Sequence, residues 1–144
     1  MKLEPYTVTM EVAREMLRRA DTALMHTYPT ANKGYAVTLL TARGSMYDGV
    51  SYHSDTETLT MHSEMTALAN AAIHGEKDIV AITGPNCHIC KQLIWESALR
   101  SGIDVQIVME ESGSVVCVPI SSLMPYPWPA ELRTNRKKQD QPQI

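Results

Sequence analysis

Two short stretches of this chain carry side chains that can do chemistry together. One is His62-Ser63-Glu64, and the other is Pro85-Asn86-Cys87-His88-Ile89-Cys90. Cysteines at i and i+3 in the first turn of a helix point to one side. The unpaired backbone N–H groups and the positive dipole end there favour the thiolate, which is the metal-binding form. The imidazole of His62 adds a third ligand of the kind Zn²⁺ prefers, and three protein ligands with one open position is the pattern of a catalytic zinc rather than a structural one. Glu64, two residues past the histidine, can lean over that open position without ligating, as a base for a water. Two thiolates and a neutral imidazole would also cancel the metal's charge and leave it a good Lewis acid.

Each piece has a plainer reading when taken singly. A C-x-x-C is also a thioredoxin-type redox pair, or simply two small helix residues, and a lone H-x-E is weaker still. The specificity comes from the two together, each at the start of an expected helix.

Those helices belong to an alternating pattern. Apolar residues at Met10, Ala13, Leu17, Ala20 and Leu24 have helical spacing over residues 9–25. Residues 28–34 break it, and residues 35–40 read as a buried strand. The turn Ala42-Arg43-Gly44-Ser45 leads to a return strand over 46–52, giving a hairpin. A loop over 54–60 precedes an Ala-, Leu- and Met-rich helix from His62 to Ile73, ending near Gly75. A strand over 79–83, a helix from Cys87 to about Arg100, and strands over 104–109 and 115–118 follow. Helices alternating with short apolar strands predict an α/β domain, three layers deep, around a mixed sheet of about five strands. We place the domain at residues 1–130 and a polar, basic tail at 131–144, which carries Arg133, Arg136, Lys137 and Lys138.

The chain has 144 residues, 44% of them apolar and 20% charged, enough for one domain with a real core. Its net charge of −3 argues against a nucleic-acid partner, which usually selects a basic surplus. Three cysteines are an odd count for a disulfide scaffold, so the expected compartment is the reducing cytoplasm. No signal peptide is evident at the N-terminus. The longest uncharged stretch, 112–130, holds four prolines, four serines and a glycine and cannot be a membrane helix. Cys117 reads as a buried strand residue, His26 and His74 as surface histidines, and Trp95 and Leu99 as core.

The order H-x-E, then P, then C-x-x-C resembles the zinc deaminase signature, and the chain is similar to the cytidine deaminase family over roughly residues 9–128. Cys90-Lys91-Gln92-Leu93 with Glu96 resembles that family's C-R-Q-V-L-x-E run, and Leu123-Met124-Pro125-Tyr126-Pro127-Trp128 its C-terminal L-L-P-x-x-F. The resemblance implies that His62, Cys87 and Cys90 hold Zn²⁺ and that Glu64 is the proton shuttle. It further implies that a backbone carbonyl near Pro85 accepts from the leaving amine, and that the protein is a homotetramer (or dimer) in which Trp128 covers a neighbour's pocket. The implied substrate is a small nucleoside-like molecule bearing a cytosine-type amine.

The chain departs from the family at informative places. Small cytidine deaminases usually have cysteine where His62 stands and arginine where Met65 stands, and their proline directly precedes the first cysteine, whereas Asn86 intervenes here. Lys33 stands near the place of the family's strand-one Phe. Their ribose-reading N-x-E-N run is replaced by Ser51-Tyr52-His53-Ser54. The Tyr-His pair is similar to the blasticidin-S deaminase branch, which acts on a cytosine carried by a modified sugar. Ser51, His53 and Ser54 are therefore the expected sugar-side contacts. Two readings from other classes stand beside this one: action on a base within RNA or DNA, disfavoured by charge, and a non-catalytic zinc-binding assembly protein, which would have no need of Glu64.

Overall fold

Thr9 opens the first helix by accepting the Val12 N–H on its hydroxyl at 3.2 Å, the N-cap role for which a β-hydroxyl is suited. In the computed structural model, which describes residues 2–31 and 34–131, this helix, α1, spans Met10–Ala23. Strands β1 (Ala36–Thr41) and β2 (Met46–Val50) form the expected antiparallel hairpin, with Leu39 opposite Tyr47. Helix α2 spans Ser63–Ile73, strand β3 Ile79–Thr83, helix α3 His88–Ser101, and strands β4 and β5 Gln106–Glu111 and Ser114–Pro119. The sheet order is β2-β1-β3-β4-β5, with only the β3–β4 pair parallel. A parallel pair needs a crossover, and α3 supplies it.

Successive strand residues face opposite sides of a sheet, so Leu39 and Leu40 enter different cores. Leu39 joins Ile82 and Ile107 beneath Ala67 and Ala71 of α2 and Ile94, Trp95 and Leu99 of α3. Leu40 joins Val80 and Val108 beneath Ala13 and Met16 of α1. The result is the expected α/β/α layering. The stripe of α1 is turned from the one that the spacing picked out: Ala13, Met16, Ala20 and Ala23 are buried, whereas Met10 and Leu24 are exposed. Cys117, expected to be buried, is exposed, because β5 is an edge strand. Trp95 and Leu99 are core as expected, and His26 and His74 lie on the surface. Within the described residues no helix is long and apolar enough to cross a membrane. Apart from Glu131, the tail lies outside the described residues.

Two features anchor the half of the molecule that carries the motifs. Gly49 of β2 lets α2 lie directly on the strand: a Cβ there would be 2.1 Å from the Ser63 carbonyl oxygen and 2.3 Å from the Ala67 nitrogen. These are backbone atoms and cannot step aside. Gly49→Ala should therefore cost about 3 kcal/mol, the upper end of ordinary overpacking, and denaturant unfolding will measure it. A loss below about 1 kcal/mol would mean that α2 is free to lift off the sheet.

The second feature is buried Glu76, between α2 and β3. Thr41 Oγ1 donates to its Oε1 at 2.6 Å and the Tyr47 hydroxyl donates to its Oε2. These hydrogen bonds, Thr41's first, hold the carboxyl below its ordinary 4.5, while the carboxylate holds the Tyr47 hydroxyl above its own ordinary value. A carboxyl whose folded pKa is depressed adds stability above its unfolded pKa, and that stability is lost as pH falls through the folded pKa. Glu76→Gln should thus lower the melting temperature at neutral pH, and the gap from the parent should close in acid. Thermal melts between about pH 7 and pH 3 that show a constant gap would refute this role.

Candidate active site

His62 is the residue that precedes α2, in extended conformation, and Cys87 occupies the same place before α3. The two helix N-termini converge. His62 Nδ1 lies 3.4 Å from Cys87 Sγ and 3.3 Å from Cys90 Sγ, and the three ligand atoms all fall within 4.8 Å of one another. With Zn–S near 2.3 Å and Zn–N near 2.0–2.1 Å, a tetrahedral zinc sets its N and S ligands about 3.6 Å apart. The cluster is therefore close to the spacing that zinc requires. The donor chemistry agrees. Cys90 is fully buried, and burial first, then the neighbouring Glu64 carboxylate, push its thiol far up. A thiolate there needs a cation beside it. Cys87 is exposed, and its sulfur accepts the Cys90 N–H at 3.5 Å.

Glu64 sits in the first turn of α2 and is 6% exposed. Both of its oxygens have a donor: Ser63 Oγ on Oε1 at 2.8 Å and Asn86 Nδ2 on Oε2 at 2.9 Å. The carboxylate and the ligand cluster share one cavity of about 610 Å³, within the range of small-molecule sites. Its walls are Tyr35 with Ala36 and Val37 of β1, Ser51, residues 60–64, and residues 84–87. A second cleft of about 530 Å³ lies along the β2 edge; its Arg19 is paired with Asp48 at 3.0 Å, and the metal-ligand cluster lies elsewhere.

The expected site residues divide. His62, Glu64, Cys87, Ser51 and Pro85 line the cavity, and Cys90 completes the ligand cluster. His53, Ser54 and Trp128 are not in the cavity wall. The chain leaves β2 at Val50, and Tyr52 bridges to Met61 and Tyr28, so residues 53–60 form a loop that the His53 N–H ties to the Tyr28 carbonyl at 2.8 Å and that reaches the cavity wall at Thr60. There His53 Nδ1 lies 3.4 Å from Thr60 Oγ1 and its Nε2 3.7 Å from Glu57. Ser54 donates its N–H to Thr60 Oγ1 at 3.0 Å and accepts the Thr56 N–H at 3.1 Å. Ser51 uses its hydroxyl to accept the Tyr35 N–H at 2.9 Å. Trp128 is 66% exposed, and its carbonyl accepts Gln92 Nε2 at 2.7 Å. Trp95 Nε1 donates to the Pro129 carbonyl, also at 2.7 Å. The main chain at Trp128 and Pro129 is thus strapped onto α3. His88 is exposed and outside the cavity wall.

Sequence reasoning missed the two groups that hold the carboxylate, Ser63 and Asn86. Asn86 left one signal, an amide standing where a proline would directly precede the first cysteine.

No family model matches the chain, and no curated protein does. Solved structures are similar in fold. Cytidine deaminase from Burkholderia pseudomallei aligns with a TM-score of 0.69 at 21% identity, over 84% of this chain and 100% of that one. The Mycobacterium leprae cytidine deaminase aligns at 0.63 and 18%, over 78% and 96% of the two chains. The Bacillus anthracis cytidine deaminase aligns at 0.61 and 16%, over 89% and 94%. Each alignment spans nearly the whole of the other chain and most of this one, so the likeness is one of the whole fold. This chain has the cytidine deaminase fold.

Proposed function

We propose that this protein is a zinc-dependent hydrolytic deaminase of a cytosine-type amine in a small nucleoside-like molecule. The observation that carries the reading is the meeting of His62, Cys87 and Cys90 beside a buried carboxylate, in one cavity large enough for a nucleoside. A zinc ion on those three residues supplies Lewis acidity, which brings the pKa of a water to about 7.

Glu64 does the proton work. It takes a proton from the attacking water and delivers it to ring N3 as the oxygen adds to C4. The remaining hydroxyl proton then passes through the same carboxylate to the amino group, the C4–N bond breaks, and ammonia leaves behind a C4 carbonyl. One carboxylate alternating between base and acid serves both transfers. The Pro85 backbone at the cavity wall offers a carbonyl to the departing amine. A homo-oligomer, tetramer or dimer, and a cytoplasmic location belong to this reading; Tyr35 and Met61, 76% and 45% exposed at the cavity, are surface that a neighbouring subunit would cover.

The test is ammonia release by zinc-loaded protein from cytidine, deoxycytidine, blasticidin S, and guanine- and adenine-type amines. Release from a cytosine-type amine and not from the purines supports the proposal. Failure on every cytosine-type amine overturns it. Among the cytosine compounds, plain ribosides should be the poorer substrates, since a site without dedicated partners for sugar hydroxyls forfeits that discrimination.

A further inference from the structure

The Asn86 side chain makes one local and one distant contact. Its Nδ2 donates to the Thr83 carbonyl at 3.1 Å, an ordinary turn contact three residues back, and to Glu64 Oε2 at 2.9 Å, across 22 residues of sequence. Both hydrogens of the amide are thereby committed to acceptors, which fixes which end of the group is nitrogen. The other end, Oδ1, is buried and has no hydrogen-bond partner. A buried acceptor without a partner is costly, so the orientation is held by what the nitrogen gains. Gly84 makes room for it: a Cβ at that position would come 2.7 Å from Oδ1. Ser63 Oγ holds the other carboxylate oxygen at 2.8 Å.

We infer that Asn86 is a positioning residue for Glu64. With Ser63 it fixes the plane of the carboxylate by one neutral donor on each oxygen, and it leaves each oxygen a lone pair for the proton being moved. The inference rests on the proposed deamination and adds to it a residue whose amide acts through the shuttle rather than on the substrate. A side chain serving only the loop would need Thr83 alone.

The test compares Asn86→Ala and Asn86→Asp with the parent. A hydrogen bond to a charged group carries roughly a 10- to 100-fold factor. Asn86→Ala should lower kcat by about that much, with KM changed less than about three-fold, because the lost group orients the shuttle and does not bind substrate. Zinc content and the visible absorption of the Co²⁺-substituted protein should match the parent, which shows the ligand cluster intact. Asn86→Asp keeps the shape but sets an acceptor against Glu64, so it should fall below Asn86→Ala. Ser63→Ala should lose less, and the Ser63→Ala/Asn86→Ala double variant should depart from additivity, since both donors hold one carboxylate. Where the alanine variant fails to fold, Asn86→Ser, too short to reach Glu64, replaces it.

A crystal structure of zinc-loaded Asn86→Ala supplies a readout independent of turnover, with the Glu64 carboxylate displaced or in two orientations. An unmoved carboxylate, a kcat within about three-fold of the parent, or Asn86→Asp as active as the parent each overturns the inference. A parent inactive on every amine with a displaced Glu64 would instead indict the deaminase reading alone.

Discussion

Glu64→Gln is expected to lose about three orders of magnitude in turnover while keeping its metal and its fold. General acid–base transfer by one positioned group is worth about 10²–10⁴-fold, and in the proposed reaction one group performs every transfer. The substitution is unusually clean at this position. Ser63 Oγ and Asn86 Nδ2 both donate to the carboxylate. A glutamine can turn its carbonyl to Asn86 and its NH₂ to Ser63, whose hydroxyl rotates to accept. Size, burial and hydrogen bonds are all retained, so a loss of rate reads out the proton relay. Steady-state ammonia release, with zinc content and melting temperature measured on the same samples, checks it. A variant that keeps more than about a tenth of the parent rate would remove Glu64 from the chemistry.

Cys90→Ala is expected to abolish metal binding and activity together. The sulfur is fully buried, and burial and the Glu64 charge oppose its thiolate, so the site holds that charge only with a cation. Removing it leaves His62 and Cys87, too few ligands for a catalytic zinc. A metal that binds only the folded protein stabilises it by about 4 kcal/mol at a thousand-fold excess over its dissociation constant. A chelator should therefore lower the melting temperature of the parent and leave that of Cys90→Ala unmoved. Cys117→Ala, on the exposed edge strand β5, should behave as the parent in both measurements. Stoichiometric zinc on Cys90→Ala would show that the cluster is not the metal site.

The parts of the fold that could be read from local pattern are those whose signals are themselves local. Residues 79–83 are five apolar or β-branched residues bounded by Asp78 and Gly84, and β3 is that segment. Strand β4 begins at Gln106 rather than at Asp104 for a reason no local pattern contains. The Asp104 N–H bonds to the Glu4 carbonyl, and its carboxylate accepts from Ser121, so those residues serve the N-terminal segment and the C-terminal turn. Cys117 sits in a run of valines that reads as core; its exposure follows from the strand order. The same division holds at the site. His62, Glu64, Cys87 and Cys90 announce themselves by type and spacing. The roles of Ser63 and Asn86 depend on α2 and α3 meeting, and of the expected sugar-side residues Ser51 lines the cavity while His53 and Ser54 lie in the loop over 53–60, which the Tyr52–Met61 bridge closes off.

That closure has an evolutionary side. The Tyr52–Met61 bridge, with both backbone hydrogen bonds at 2.9 Å, is a neck that joins the loop to the rest of the protein. Within it, the side chains of His53 and Thr60 and the backbone of Ser54 bond to one another, and the His53 N–H adds a second tie outside the loop, to the Tyr28 carbonyl at 2.8 Å. Below it, β2 and α2 are locked together through Gly49. Changes of length confined to residues 54–59 are thus expected to leave the register of β2 and the placement of His62 and Glu64 undisturbed. Surface loops of this kind tolerate insertion. The fold therefore separates a loop at the cavity's rim from the cluster of His62, Glu64, Cys87 and Cys90 at the two helix starts, so that an exchanged loop would reshape the rim while the cluster keeps its place.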